Sequence, residues 1–386
     1  MARSEKHDCY VITPPGVEAV TVRELSDLGI SPGALDLGGV SFRADACGIA
    51  RANLELRTAS RVLVRVGTFH ASAFYELERR AARLPWAEYV PQRGSVSFRV
   101  TSRKSKLYHQ DAVAQRLATA VARRVPGATP AAGEADDQSP AELPPTQLFV
   151  VRVFRDECTV SADASGAHLH QRGYRLAGAK APLRETLAAA MLLAAGWDGS
   201  TPLMDPLCGS GTIPIEAALL ARRMAPGLAR RFACEQWPGF DGVGWRVLRE
   251  TAQDRALPRA PAALYGSDRD AGAIEAATQN ARRAGVLDDI ELRRVALSGI
   301  EPPGEAGAVI TNPPYGIRVG QARDLRDLYA QLGNTLRRRC PGWRVALLSA
   351  RDELARQTKL DLRPLLGTTN GGIRVKLLEG TVPAPR

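Results

Sequence analysis

A short apolar run, Pro202-Leu203-Met204-Asp205, breaks into Pro206-Leu207-Cys208-Gly209-Ser210-Gly211-Thr212 and resumes as the helix-forming stretch Ile213-Pro214-Ile215-Glu216-Ala217-Ala218. Strand, glycine turn and helix in this order make the opening unit of a mostly parallel α/β sheet. The glycines let the chain turn tightly and let a ligand approach backbone where a side chain would intrude. Alone, such a turn is a weak sign of a nucleotide-like ligand. A second segment sharpens it: Asn312-Pro313-Pro314-Tyr315 follows another apolar run, Ala308-Val309-Ile310-Thr311.

The chain beyond residue 165 keeps this grammar of alternating strands and longer helices. Strands are expected at 202–205, 264–267, 290–293, 308–311, 344–348 and 374–378, with helices at 183–195, 213–221, 271–284 and 324–338. A segment from Arg222 to Pro261, with Trp237, Phe240 and Trp245, separates the first two strands. It reads as a packed surface insertion or as a lip over the site.

The preceding part reads as two small α+β units. In the first, strands at 10–13, 39–43 and 61–66 alternate with helices at 17–28 and 49–58. In the second, a helix at 74–84, a strand at 95–100 and a helix at 111–124 lead to strands at 148–153 and 158–163. Pro126 to Pro145, rich in Pro, Ala and Gly and carrying Glu134, Asp136, Asp137 and Glu142, is expected as a mobile loop inserted between elements.

The 386 residues hold 52 Lys plus Arg against 41 Asp plus Glu, a net charge of +11 that favours a polyanionic partner. From Tyr75 to Val125 there are eleven basic residues against four acids, including Arg103-Lys104-Ser105-Lys106, a patch able to neutralise several phosphates. The most apolar stretch, Thr186 to Gly196, is too short to span a bilayer, and the opening residues lack the apolar core of a secretory signal. A cytoplasmic protein with no membrane partner is expected. Six scattered cysteines, with no Cys-x-x-Cys pair and no nearby His at ligand spacing, point to no metal.

Asp268 closes the strand at 264–267, where an acidic residue can accept from ribose hydroxyls; a helix N-cap is its plainer role. At Asn312-Pro313-Pro314-Tyr315 the side-chain oxygen of Asn312 and the carbonyl of Pro313 can bind both protons of an aromatic amine and so free its lone pair. The prolines stiffen the turn, and Tyr315 offers a face for an extruded base.

These residues resemble the THUMP-containing class I RNA methyltransferases that modify the N2 amine of guanine. The likeness runs through Leu169-His170-Gln171-Arg172-Gly173-Tyr174-Arg175, Ala181-Pro182-Leu183-Arg184-Glu185-Thr186, Asp205 to Thr212, Gly266-Ser267-Asp268 and Asn312 to Gly316. It implies an α/β fold: a ferredoxin-like domain at 1–68, a THUMP RNA-binding domain at 69–164, and a Rossmann-like class I methyltransferase domain at 165–386. It further implies S-adenosylmethionine as cofactor. Pro182 and Leu183 would lie at its methionine end, Asp205, Gly209, Ser210 and Gly211 along its middle, and Asp268 at its ribose. Asn312, Pro313, Pro314 and Tyr315 would hold the target base. Where the family often places an acid to accept from adenine, this chain has Val295-Ala296, leaving backbone contacts there, at Ala296 in particular.

The substrate implied is structured RNA, 23S rRNA first and tRNA as the alternative. DNA adenine and protein glutamine methyltransferases share the Asn-Pro-Pro-Tyr logic, and an RNA-binding protein with a lapsed cofactor site is the non-enzymatic reading.

Overall fold

The computed structural model describes residues 5–131, 140–143, 146–175, 183–315 and 322–384. The chain divides into two compact units, one of Met1–Thr13, Val22–Arg172 and Gly227–Thr251, the other of Pro14–Thr21, Gly173–Pro226 and Ala252–Arg386.

Up to Asp163 the elements are β1 (His7–Ile12), α1 (Glu18–Asp27), β2 (Pro32–Asp36), β3 (Gly39–Ala44), α2 (Ala46–Glu55), β4 (Arg61–His70), α3 (Phe74–Ala81), β5 (Ser95–Arg103), α4 (Gln110–Arg124), β6 (Thr129–Pro130), β7 (Thr146–Phe154) and β8 (Glu157–Asp163). The strands of the two expected α+β units share one eight-stranded sheet, ordered β2-β3-β1-β4-β8-β7-β5-β6. The seam is the antiparallel β4–β8 pair, with Arg65 opposite Ser161.

Period-two alternation explains this sheet. Val62, Val64 and Val66 of β4, Phe149, Val151 and Val153 of β7, and Cys158, Val160 and Ala162 of β8 are all buried in one core. The apolar stripes of the helices supply Ile49, Leu77, Leu117 and Val121 to the same core. Trp86 sits inside it, edge-on to Phe149 at 5.1 Å and to Phe98 at 6.1 Å, with its indole N–H donating to the Ala81 carbonyl.

Of the expected loop at 126–145, residues 132–139 and 144–145 lie outside the described residues, and Thr129–Pro130 pairs in parallel with β5. The aromatic insertion resolves in favour of packing. Its helix α7 (Gly242–Asp254) follows a segment whose aromatics join the first unit's core. Trp237 stands edge-on to Tyr89 at 5.0 Å and donates to the Gln147 side chain at 2.8 Å, while Trp245 meets Phe232 and Phe240.

The second unit carries α5 (Glu185–Ala194), β9 (Leu203–Asp205), α6 (Thr212–Ala221), β10 (Leu264–Asp268), α8 (Ala271–Arg283), β11 (Ile290–Arg294), β12 (Ala308–Thr311), α9 (Ala322–Arg339), β13 (Arg344–Ser349), α10 (Asp352–Gln357), β14 (Arg363–Asn370) and β15 (Ile373–Thr381). Its seven strands run β11-β10-β9-β12-β13-β15-β14. The first five are parallel, β15 runs antiparallel to β13, and β14, antiparallel to β15, runs in the direction of the first five. From β9 the chain moves outward to β10 and β11, then returns to place β12 on the other side of β9. That reversal is a topological switch point, where the loops after β9 and β12 open side by side at the carboxyl edge and ligands bind. Helices α5 and α6 are buried almost all round, which accounts for their apolar sequences.

Candidate active site at the carboxyl edge of the second sheet

The loops after β9, β10 and β12 are tied together by hydrogen bonds. Asp205, the last residue of β9, is 1% exposed; its Oδ1 accepts from the Thr311 hydroxyl at 2.7 Å and from the Leu207 N–H at 3.1 Å. This bond joins the ends of β9 and β12 and sets the glycine turn against the Asn-Pro-Pro-Tyr loop. On the other side, Asp268 Oδ2 accepts from the Gly209 N–H at 3.1 Å and the Cys208 N–H donates to the Ser267 carbonyl at 2.9 Å. Asn280 of α8 donates to the Ser210 carbonyl at 3.0 Å.

Asp268 does not cap α8. Asp270 does, accepting from Gly272 N at 2.7 Å, while Asp268 stays at the sheet edge with its Oδ1 accepting from the Asp270 N–H at 3.0 Å.

The two loop glycines do different work. At Gly209, φ is +51° and a Cβ would meet nothing within 4 Å, so open space lies over the turn. At Gly211, φ is +81° and a Cβ would come within 2.9 Å of the Ala277 Cβ, so this glycine lets α6 close on α8. Gly211→Ala is expected to cost about 1–3 kcal/mol from left-handed backbone strain and overpacking. Urea unfolding of the variant checks this.

Burial pushes the Asp205 carboxyl up to about 7, against the pull of Thr311 and Leu207. The folded chain therefore keeps a proton that the unfolded chain releases, and stability from this residue falls as pH rises from about 4 to about 7. Asp205→Asn removes that dependence. Relative to wild type, the variant should gain about 1.4 kcal/mol for each pH unit of the window and level off above it. Chemical unfolding of both proteins at pH 5, 6, 7 and 8 reads the difference.

Upstream, Arg175 gathers the segment before α5. Its guanidinium donates to the Leu183 carbonyl at 3.1 Å and to the Thr212 hydroxyl, and it lies 3.4 Å from Glu185 Oε1. Leu183 is thereby held beside the start of α6, its side chain buried in the core. Pro182 and Gly316 lie outside the described residues. Ala296, at the turn after β11, is exposed and brings no polar side chain. Of the backbone donors expected there, the Val295 N–H is taken by the Asp268 carbonyl at 3.0 Å, which leaves that of Ala296.

At the end of β12, Pro313 is buried and Pro314 exposed. Asn312 Oδ1 is buried with no hydrogen-bond partner among the described residues. A buried acceptor left unmade costs about 1–3 kcal/mol, so its position suits a donor that the described residues do not supply. Tyr315 is half-buried, and its hydroxyl accepts from Asn370 Nδ2 at 2.6 Å. Burial raises its pKa, which keeps the phenol neutral. Asn370 was not expected from sequence, although Asn370-Gly371-Gly372 is a hairpin-turn signal. Asn370 pairs with Ile373 across two glycines at φ of +57° and +83°. Among the described residues, no group of three or more His, Cys, Asp or Glu could hold a metal ion, and no helix is long and apolar enough to cross a membrane.

A switch-point sheet with an antiparallel hairpin at one edge, a glycine turn after β9, an acid after β10 and Asn-Pro-Pro-Tyr after β12 define a Rossmann-like methyltransferase fold. Residues 172–363 match the RMKL-like methyltransferase domain (UPF0020), and residues 8–63 match the RlmL ferredoxin-like domain. "Putative RNA methyltransferase slr0064" of Synechocystis is 34% identical over 94% of this chain and 94% of its own length. The chain belongs to the RMKL-like methyltransferase family.

The ribosomal RNA large subunit methyltransferase K/L of Syntrophotalea carbinolica is 36% identical over 98% of this chain, which spans 54% of that relative. The chain thus covers about half the length of the K/L enzymes it matches and nearly all of the Synechocystis protein. The "Crystal structure of SMU.472, a putative methyltransferase complexed with SAH" superposes with a TM-score of 0.87 at 28% identity, covering 99% of both chains.

Proposed function

We propose that the protein transfers a methyl group from S-adenosylmethionine to the exocyclic N2 amine of a guanine in structured RNA, 23S rRNA in the first place. The observation that carries this reading is the buried Oδ1 of Asn312, without a hydrogen-bond partner among the described residues and next to two prolines that bring carbonyls but no competing N–H. The relatives named as RNA methyltransferases support the substrate class.

When bound, S-adenosylmethionine supplies an electrophilic methyl on a sulfonium. The residues fit such a group: open space above Gly209 admits it, the Asp268 carboxylate suits its ribose hydroxyls, and Asp205 holds the glycine turn that would flank it. Leu183 and Pro182 would flank its methionine end, Gly209, Ser210 and Gly211 its middle, and the Ala296 N–H its adenine.

Asn312 Oδ1 and the Pro313 carbonyl would each accept one amine proton. That rotates the nitrogen lone pair out of conjugation with the ring and points it at the methyl. Held in this way, the amine nitrogen would accept the methyl, and the methylated amine would then lose a proton to solvent. No strong base is needed, because holding the two atoms in line is the main contribution. Tyr315, fixed by Asn370, would stack on the extruded base. In the chain, residues 1–68 would act as a ferredoxin-like domain and 69–164 as a THUMP domain gripping the RNA.

Purified protein incubated with methyl-labelled S-adenosylmethionine and separate RNA, DNA and protein acceptors tests the reading. Label in RNA, recovered as N2-methylguanosine, is the expected result. Label in DNA adenine or glutamine alone would overturn it.

A further inference from the structure

The first unit's sheet has a second face that the core does not use. The alternation that buries Val62, Val64, Val151, Val153 and Val160 turns their neighbours to the opposite side. There Tyr10, Arg65, Arg103, Arg152 and Phe154, on β1, β4, β5 and β7, line a groove of about 520 Å³ whose floor includes Leu63 and Val150. Such a face on a solvated sheet is ordinarily a mixture of Thr, Ser, Lys and Glu. This one holds three arginines to a single lining acid, Asp36.

The arginines stand beside the aromatics. The Arg65 guanidinium lies 5.4 Å from the Tyr10 ring centroid, and those of Arg152 and Arg155 lie 5.5 and 5.2 Å from that of Phe154. No carboxylate pairs with Arg65, Arg103 or Arg152 among the described residues. The strand register spreads these groups across the sheet: Thr101 lies opposite Arg152, and Arg103 opposite Phe154.

We propose that this open sheet face docks an unpaired, single-stranded segment of the RNA substrate, bases stacking on Tyr10 and Phe154 while Arg65, Arg103 and Arg152 meet phosphates. Flat rings offer every base a stacking surface, and guanidinium groups already held over those rings need little ordering to reach the backbone. A duplex hides its bases and would leave the aromatics unused. An acidic protein surface would satisfy the arginines but gives no reason for the rings. The inference rests on the RNA reading of the active site and adds to it which face of the first unit grips the RNA, and in what form.

The test is fluorescence anisotropy of the full chain with a labelled unstructured RNA oligonucleotide and with an RNA duplex of equal length. Wild type is compared with Arg65→Gln/Arg103→Gln/Arg152→Gln and with Tyr10→Leu/Phe154→Leu, each checked by thermal melting. The account expects tighter binding of the single strand by wild type. The arginine variant should bind it at least about tenfold more weakly, with a shallower salt dependence. The leucine variant should lose about fivefold or more with the salt dependence unchanged. Should either multiple variant melt early, the single substitutions Arg152→Gln and Phe154→Leu are read in its place.

Unchanged affinity in folded variants, equal losses on duplex and single strand, or no oligonucleotide binding by wild type would overturn the proposal. Methyl transfer separates the two claims. Transfer to RNA with an unchanged KM in the arginine variant sinks the docking face alone, whereas no transfer to RNA by wild type sinks the active-site reading beneath it.

Discussion

Asn312→Ala should lower the rate of methyl transfer at saturating RNA by about 10²–10³-fold while leaving cofactor affinity within about twofold of wild type. The reason lies in what the side chain touches. Its Oδ1 makes no hydrogen bond within the described protein, so removing that oxygen breaks none there. The first substitution to compare is Asn312→Asp, which keeps an acceptor of the same shape and should retain more activity than alanine. Single-turnover methylation and calorimetric titration of S-adenosylmethionine give the two numbers. Equal activity of Asn312→Ala and wild type would show that the buried acceptor does not orient the amine.

The largest stability effect should come from the first unit, at Arg61. Its guanidinium pairs with Asp163 and also reaches the Gly166 carbonyl, with both residues buried at 2% and 0% exposure. Asp163 additionally accepts from the N–H groups of Ser165 at 2.9 Å and Gly166 at 3.2 Å. Burial pushes the Asp163 carboxyl above the ordinary range, and the nearby Arg61 charge is the strongest opposing influence. Arg61→Met strands that carboxylate and should destabilise the protein by about 3–5 kcal/mol at neutral pH.

The pH dependence has a definite sign. Without Arg61 the folded pKa of Asp163 rises further, so the variant is most stable where the carboxyl is protonated and loses stability as pH rises through that value. The gap to wild type should therefore narrow toward acid. Arg61→Met/Asp163→Leu, which removes both charges, should recover much of the loss. Urea unfolding across pH measures all three proteins.

The reading from sequence succeeded where local pattern and burial agree. Val62, Val64 and Val66 alternate because one face of β4 is core, and Asp205 to Thr212 announces a strand, a turn and a helix because only that path lets two glycines sit at positive φ. It failed where one of those links is missing. Strand β14 begins at Arg363-Pro364, and its register with β15 shifts between Pro364 and Leu366, so no clean alternation survives to be read. In α7, Val243 and Val247 are 64% and 55% exposed, so apolar spacing there does not report a buried face.

The aromatics at 237–245 were visible as a cluster, but nothing local says which core they enter. At the site, residue types suggested both roles for Asp268. Only the backbone path shows that Asp270, one position before α8, takes the capping bond and leaves Asp268 to Gly209. Likewise, Asn312 was legible as an acceptor, whereas the lack of a partner for its Oδ1 among the described residues is a property of three dimensions.

The central claim is tested most directly by digesting rRNA and tRNA to nucleosides, from wild-type cells and from cells lacking this protein, and quantifying methylguanosines by mass spectrometry. The account predicts loss of N2-methylguanosine from the large-subunit rRNA pool, restored by the wild-type chain and not by Asn312→Ala. Unchanged N2-methylguanosine in both pools, with the protein expressed in wild type, would contradict it.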